Sequence, residues 1–199
     1  VKRPLETFFP RRIERFRKVL SQRQRDLTVV IENVHDPHNV SAVLRSADGV
    51  GIHRLHLVYT IESFPKLGKK SSSSAKKWIE IKHHKSVEEC YAALREEGFR
   101  IYASHLSQSS ISLYDIDATK PSAFVFGNEH RGVSDEAVRL ADDVFSIPMM
   151  GMVESLNISV ACAVTLYETL RQRLRKGMYD TPAFSEEEIE ALLADWLQR

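Results

Sequence analysis

The chain has 199 residues, a hydrophobic share of 43%, a charged share of 28% and a formal net charge of +1. That length buries one full core with little left for another, and the composition is that of an ordinary globular protein, not a disordered or collagen-like one. No apolar run approaches the ~18 residues of a membrane span, the basic start lacks the apolar region of a signal peptide, and Cys90 and Cys162 sit in apolar helical patterns as reduced thiols, so a cytoplasmic location without membrane contact is expected.

The small net charge conceals an uneven distribution. Residues 1–25 hold nine basic side chains, among them Arg11, Arg12, Arg15 and Arg23, against Glu6 and Glu14, whereas residues 185–199 hold five acids against Arg199. A block of this density suits RNA phosphates or the solvated face of a helix, and charge alone does not separate the two. Pro10–Gln24 carries Ile13, Phe16, Val19 and Leu20 on one helical stripe. The period then changes. Leu27–Val34 reads as a strand, His35–His38 as a turn, and Asn39 as the cap of a helix from Val40 to about Val50, ended by Gly51. Leu55–Tyr59 is the next strand, completing a βαβ unit and so a parallel α/β sheet. Phe64–Lys77, rich in serine and lysine, reads as a loop that either touches RNA or is a solvated linker.

Further on, Ser86 and Glu89 open a helix that Gly98 ends, followed by strands at Phe99–Ala103 and Ala123–Phe126. A glycine-bracketed loop, Gly127–Gly132, leads to a short helix from Ser134 and a last strand at Val144–Ile147. The helix from about Leu156 to Lys176 is apolar almost all round between Ile158 and Tyr167 and is expected to be buried. Ser185 and Glu188 then form a capping box for a terminal helix with Ile189, Leu192, Leu193, Trp196 and Leu197 on one face, which must dock on its own core or on a partner chain. Three parts follow: a basic helical arm at 1–25, an α/β domain at 26–177 and a docking helix at 178–199.

Several familiar sites are excluded. Gly127–Gly132 has phosphate-loop spacing, but Val133 stands where the lysine belongs. Neither G-x-G-x-x-G after the first strand nor G-x-S-x-G is present. His35, Asp36 and His38 are split by Pro37 and have no further ligand nearby, so no metal is expected. What remains is three polar segments just beyond apolar strands: Asn39–Arg45, Gly127–Gly132 and Gly151–Asn157. Ligands of open α/β sheets bind at such strand ends. Backbone polar groups beside Ile147, Met149, Met150 and Met152 suit a mostly neutral, adenine-containing cofactor better than a triphosphate.

The same segments, Asn39–Arg45, Phe126–Gly132 and Ile147–Ala161, resemble the three motifs of the SPOUT superfamily, and more narrowly those of the TrmH-type tRNA guanosine 2'-O-methyltransferases. The resemblance implies a Rossmann-like parallel sheet with helices on both faces and a C-terminal deep trefoil knot, a rare exception to unknotted chains. It implies S-adenosyl-L-methionine as cofactor, tRNA as substrate, and a homodimer with the active site near the subunit interface. It assigns Arg45, Asn39, Glu129, Ser155 and Asn157 to catalysis, and Ser104, Gly127, Ile147, Met152 and Leu156 to the cofactor. Read without it, Asn39 and Ser155 pass as helix caps and Arg45 as a surface residue. Ribosomal RNA is the alternative substrate; with the first strand near Leu27, no separate RNA-binding domain precedes it, which favours tRNA, in particular its D-loop guanosine.

The implied reaction needs a proton removed from a ribose 2'-hydroxyl. An arginine can serve as that base only if neutral, which from an ordinary pKa of ~12.5–13.8 costs on the order of 7–9 kcal/mol at pH 7. Arg45 is therefore expected either to be desolvated by RNA and act as base, or to stay cationic and stabilise the alkoxide electrostatically.

Overall fold

The computed structural model describes residues 10–66 and 75–199; Lys2, Arg3 and the middle of the serine–lysine loop lie outside them. Seven strands, β1 (Leu27–Glu32), β2 (Arg54–Val58), β3 (Glu80–His84), β4 (Arg100–Ser104), β5 (Ile111–Ser112), β6 (Ser122–Phe126) and β7 (Asp143–Ser146), form one sheet in the order β3-β2-β1-β6-β4-β7-β5. Every pairing is parallel. Parallel strands need long return connections, and these supply helices α2 (Pro37–Gly49), α3 (Val87–Glu96) and α4 (Asp135–Leu140), while α5 (Ile158–Arg175) follows the last strand.

The helices cover both faces. Val40, Val43, Leu44 and Ala47 of α2 join Ile158, Cys162 and Leu166 of α5 over Val29, Ile31, Leu55, Leu57 and Phe124. Cys90, Tyr91 and Leu94 of α3 join Ala137 of α4 over Val30, Val58, Ile101 and Val125. Alternate residues of β1 therefore point into different cores, and all six of its residues are buried. Both cysteines are buried and unpaired, and no helix among the described residues is long and apolar enough to cross a membrane.

A third, smaller core joins the ends of the chain. Leu20 of α1 (Pro10–Ser21) packs with Ile189, Leu193 and Trp196 of α6 (Glu186–Trp196). The rings of Phe16, Trp78 and Trp196 meet with centroids 5.0 to 5.6 Å apart. The terminal helix thus docks within its own chain. Its acidic first turn faces the basic helix: Arg17 pairs with Glu186 and Glu190, and Arg25 with Glu188. The expected capping box is present, Ser185 and Glu188 bonding each other's backbone N–H.

Three expectations are corrected, and one buried arginine is added to them. Asn39 does not cap α2; Asp36 does, accepting from His38 N at 2.8 Å with Pro37 in the first turn, which leaves the Asn39 side chain for other work. Arg23 cannot bind RNA phosphate. It is 0% exposed, bonds Asp48 Oδ1 at 2.5 Å and the Ile52 carbonyl at 2.8 Å, and lies over the Trp196 ring. Arg173, one of four basic residues in the run Arg171–Lys176, is equally buried. All five of its N–H groups donate, to Asp26, Gln24 and the carbonyls of Asp26, Ala118 and Lys120, fastening α5 beneath the sheet. Finally, α5 is not buried all round: Val160, Tyr167 and Leu174, seven residues apart, form an exposed stripe.

Under α3, His56 Nδ1 and His84 Nε2 lie 2.8 Å apart, with Cys90 close by. The rings are nearly coplanar and their centroids 5.1 Å apart, so the two nitrogens meet head-on. This is an N–H···N hydrogen bond, not two ligands converging on a third point. Burial, reinforced by His84, pushes the His56 pKa down to about 3. The unfolded chain therefore binds this proton from ~6.5 downward while the folded chain refuses it until about 3. Stability contributed by the pair is complete above pH ~6.5 and falls by about 1.4 kcal/mol per pH unit per proton toward the lower limit. Urea unfolding across this range should show that slope, reduced by one proton in His56→Asn; an unchanged slope would count against the assignment.

Candidate active site

The strand order reverses direction between β1 and β6: from β1 the chain proceeds to β2 and β3, while β6 adjoins β4. Ligands of such sheets bind outside the carboxyl ends of the strands near this switch point, and here the open space lies at the carboxyl ends of β4, β6 and β7.

The β6 loop is held shut by its own backbone. Asn128 N donates to the Gly132 carbonyl at 2.9 Å and Gly132 N to the Asn128 carbonyl at 2.8 Å. A Cβ on Gly127 would stand 2.1 Å from the Gly132 oxygen, so no other residue fits there, and Gly132 adopts a φ of +68° that favours glycine. This closure throws Glu129 out toward the β1 loop. Its carboxylate accepts from His35 N at 3.1 Å, Asp36 N at 3.0 Å and Asn39 Nδ2 at 2.9 Å. Burial alone would raise the Glu129 pKa; the bonds from Asn39, His35 and Asp36 outweigh it and hold the carboxyl below its ordinary range.

From Asn39 the network continues to the third segment. Asn157 Nδ2 donates to Asn39 Oδ1 at 3.1 Å, while Asn157 Oδ1 accepts from Ser159 N at 2.9 Å as the N-cap of α5. Asn39, Glu129 and Asn157, separated by up to 118 positions in sequence, are thus one hydrogen-bonded unit. Arg45 lies on α2, exposed, and no hydrogen bond or ion pair engages it among the described residues.

Beside this unit is a cavity of about 320 Å³. Ser104, Gly127, Glu129, Ile147, Ser155 and Leu156 all line it. Phe126, Phe145 and Met149 add apolar wall, and His105, His130, Arg131 and Glu154 add polar groups. Met152 does not line it and stands 99% exposed, on a segment from Met150 to Ser155 that is exposed throughout. Sequence reasoning overlooked two contributors: Asn128, whose side chain bonds the Asn33 carbonyl, and Glu62, which pairs at 2.8 Å with Arg131 of the cavity lining. Glu62 lies in no motif, Asn128 lies inside the second motif without an assigned role, and the partners of both are distant in sequence.

An apolar-walled cavity with backbone polar groups and no cluster of cations fits adenine and a thioether, and does not fit a triphosphate. Comparison with known proteins agrees. Residues 26–167 match the SpoU rRNA Methylase family. The tRNA (guanosine(18)-2'-O)-methyltransferase of Thermus thermophilus is 46% identical over 188 residues, covering 94% of this chain and 96% of that protein. The crystal structure of the Aquifex aeolicus TrmH/SpoU tRNA modifying enzyme superposes with a TM-score of 0.89 at 40% identity, covering 94% of this chain and 95% of that one. The SpoU methyltransferase AviRb from Streptomyces viridochromogenes, in complex with the cofactor AdoMet, aligns with a TM-score of 0.67 at 28% identity, covering 76% of this chain and 62% of that one. The chain belongs to the SpoU methylase family of S-adenosylmethionine-dependent RNA methyltransferases.

Proposed function

We propose that this chain transfers the methyl group of S-adenosyl-L-methionine to the ribose 2'-oxygen of guanosine 18 in tRNA. The observation that carries the proposal is the joining of the three polar segments through the bonds of Glu129 and Asn157 to Asn39, with the second and third segments lining one cavity. The family description names ribosomal RNA, whereas the Thermus relative, covering this chain almost end to end, is named for tRNA.

Ser104, Gly127, Ile147 and Leu156 would hold the cofactor, with Met152 added once its exposed segment is covered. The cofactor supplies an activated methyl on sulfur, open to in-line attack. The chain's own groups then act on the RNA. Glu129 fixes Asn39 and the start of α2, and so the helix that carries Arg45. Ser155 and Asn157 hold the opposite wall. Arg45 serves the 2'-hydroxyl as a base desolvated by RNA, or as a cation beside the adjacent phosphate. In transfer from labelled cofactor to tRNA and ribosomal RNA, label is expected on tRNA and on the ribose of guanosine 18; label on ribosomal RNA alone overturns the substrate assignment. In the same assay Arg45→Lys separates the two roles: a lysine pKa in the rate profile assigns the base, and a retained kcat without one assigns the cation.

A homodimer belongs to this reading. The exposed stripe Val160, Tyr167 (54% exposed) and Leu174, with Met150, Met152 and Val153 near the cavity, is the kind of apolar surface a second copy covers. Sedimentation should give a dimer that Tyr167→Glu dissociates; a wild-type monomer at assay concentration would sink this part. The segment 147–158 would thread the trefoil knot, and the protein would work in the cytoplasm. The three-part organisation fits the same reading, with the basic arm at 1–25, the methyltransferase domain at 26–177 and the segment carrying the docking helix at 178–199. Arg11, Arg12 and Arg15, on the outer face of α1, would meet tRNA phosphates. Replacing Arg11 and Arg15 by alanine should lower the log–log salt slope of tRNA binding by roughly 0.7–0.9 per lost phosphate contact; an unchanged slope would remove them from the interface.

A further inference from the structure

Asn33 ends β1 in a conformation that few residues adopt, with a φ of +50°. It is buried, and every polar atom it owns is engaged. Its side-chain oxygen accepts three successive backbone N–H groups, Thr60 at 2.9 Å, Ile61 at 3.0 Å and Glu62 at 3.2 Å, while its Nδ2 donates to Thr60 Oγ1 at 3.3 Å. Its backbone N–H donates to the Val58 carbonyl at 2.9 Å, and its carbonyl accepts from Asn128 Nδ2 at 2.8 Å. One residue therefore joins the loop after β2 to the loop after β6.

The joint closes into a ring. Glu62, anchored through its N–H on Asn33, pairs by its carboxylate with Arg131 at 2.8 Å. The N–H groups of Arg131 and His130 donate to Asn128 Oδ1, and Asn128 returns to Asn33 through its Nδ2. Glu129 is the residue enclosed between Asn128 and His130. Its position is thus fixed from behind by the ring and from in front by His35, Asp36 and Asn39. The front donors orient the carboxylate only if the backbone beneath it stays where the ring puts it.

We propose that Asn33 is a positioning residue for methyl transfer, acting through the Asn128 loop to hold Glu129 against Asn39. The assignment rests on the reading of Glu129 as part of the active site. It also ties the loop after β2 to the site, since Glu62, which pairs with Arg131 of the cavity lining, is oriented by the same side chain that holds Glu129.

Asn33→Gly keeps the positive φ and deletes every side-chain bond, whereas Asn33→Asp keeps the acceptor for the three N–H groups. Methyl transfer is measured for both at a temperature where each is folded by circular dichroism, alongside Glu129→Gln and the Asn33→Gly/Glu129→Gln double variant. Asn33→Gly is expected to lower kcat by up to about 100-fold, the order that a misplacement of about 1 Å costs, with little change in cofactor Kd. Asn33→Asp should restore most of the rate. The acidic limb of the kcat pH profile should move upward in Asn33→Gly, because Glu129 loses donors that favour its charged form. The double variant should be no slower than Glu129→Gln, since a residue acting through Glu129 has nothing left to position. Multiplying losses, an unmoved acidic limb or an undiminished kcat in Asn33→Gly would each overturn the proposal. Full activity in Glu129→Gln would instead fail the reading of Glu129 itself, so the two failures are distinguishable.

Discussion

The Glu129 carboxylate is the point on which the arrangement turns. Its three donors come from one stretch, His35 to Asn39, where β1 gives way to α2. Two of them are backbone N–H groups at the helix entrance, where the helix field favours a negative charge. Hydrogen bonds to a charged group contribute about 1.5–3 kcal/mol each, enough to offset the partial desolvation of one carboxylate. The constraint works in both directions. An apolar residue at 129 would leave three donors without this acceptor, and a displaced β1 loop would leave an unpaired carboxylate beside the Tyr59 hydroxyl, whose pKa burial and Glu129 already raise.

Sheet topology explains why these groups meet at all. β1 and β6 are neighbours, paired from Leu27–Ser122 to Ile31–Phe126, so their final residues end level with each other. Parallel pairing then sends both following loops off the same edge. The chain between them makes α2, β2, β3, α3, β4 and β5, yet residues 33 and 128 come within hydrogen-bonding reach. Fastening at the opposite edge is equally specific. Arg173 ties the end of α5 to Asp26, which precedes β1, and Arg23 ties the end of α1 to Asp48 at the end of α2. Buried ion pairs of this kind cost desolvation and add little net stability, but each admits one geometry only.

Much of this was legible in the sequence because periodicity and caps are local. The βαβ unit, the glycine-bracketed loop and the Ser185–Glu188 box all follow from residues within a few positions of one another. What was missed depends on distant partners. β3 reads EIKHH, an edge strand whose side chains are mostly polar, and β5 has two residues; neither carries an apolar period. Arg23 and Arg173 look like members of basic runs, and only Asp48 and Asp26, brought in by the fold, make them interior residues. Asn39 looks like a cap because His35–His38 reads as a turn, whereas Pro37 opens the first turn and starts the helix three residues earlier, with Asp36 as its cap. Asn33 carries no signal at all: within an apolar run it reads as one more strand residue, and its role lies in loops about 27 and 95 positions away.

The site is preorganised on one side only. Behind Glu129 stand two parallel strands, a glycine loop closed by paired backbone bonds and the ring through Asn33. On the facing side, Met150 to Ser155 is exposed, and the bond from Asn157 to Asn39 is what ties the end of that segment to the rest. Exposed methionines beside a cavity are flexible apolar groups that gain by being covered. An enzyme whose rate depends on placing a ribose oxygen in line with a methyl group needs both sides fixed at the moment of reaction. The rigid side is supplied by folding. In the dimer proposed above, a second copy would cover the exposed apolar side, and assembly of this site and occupation of its cavity would then be coupled events rather than separate ones.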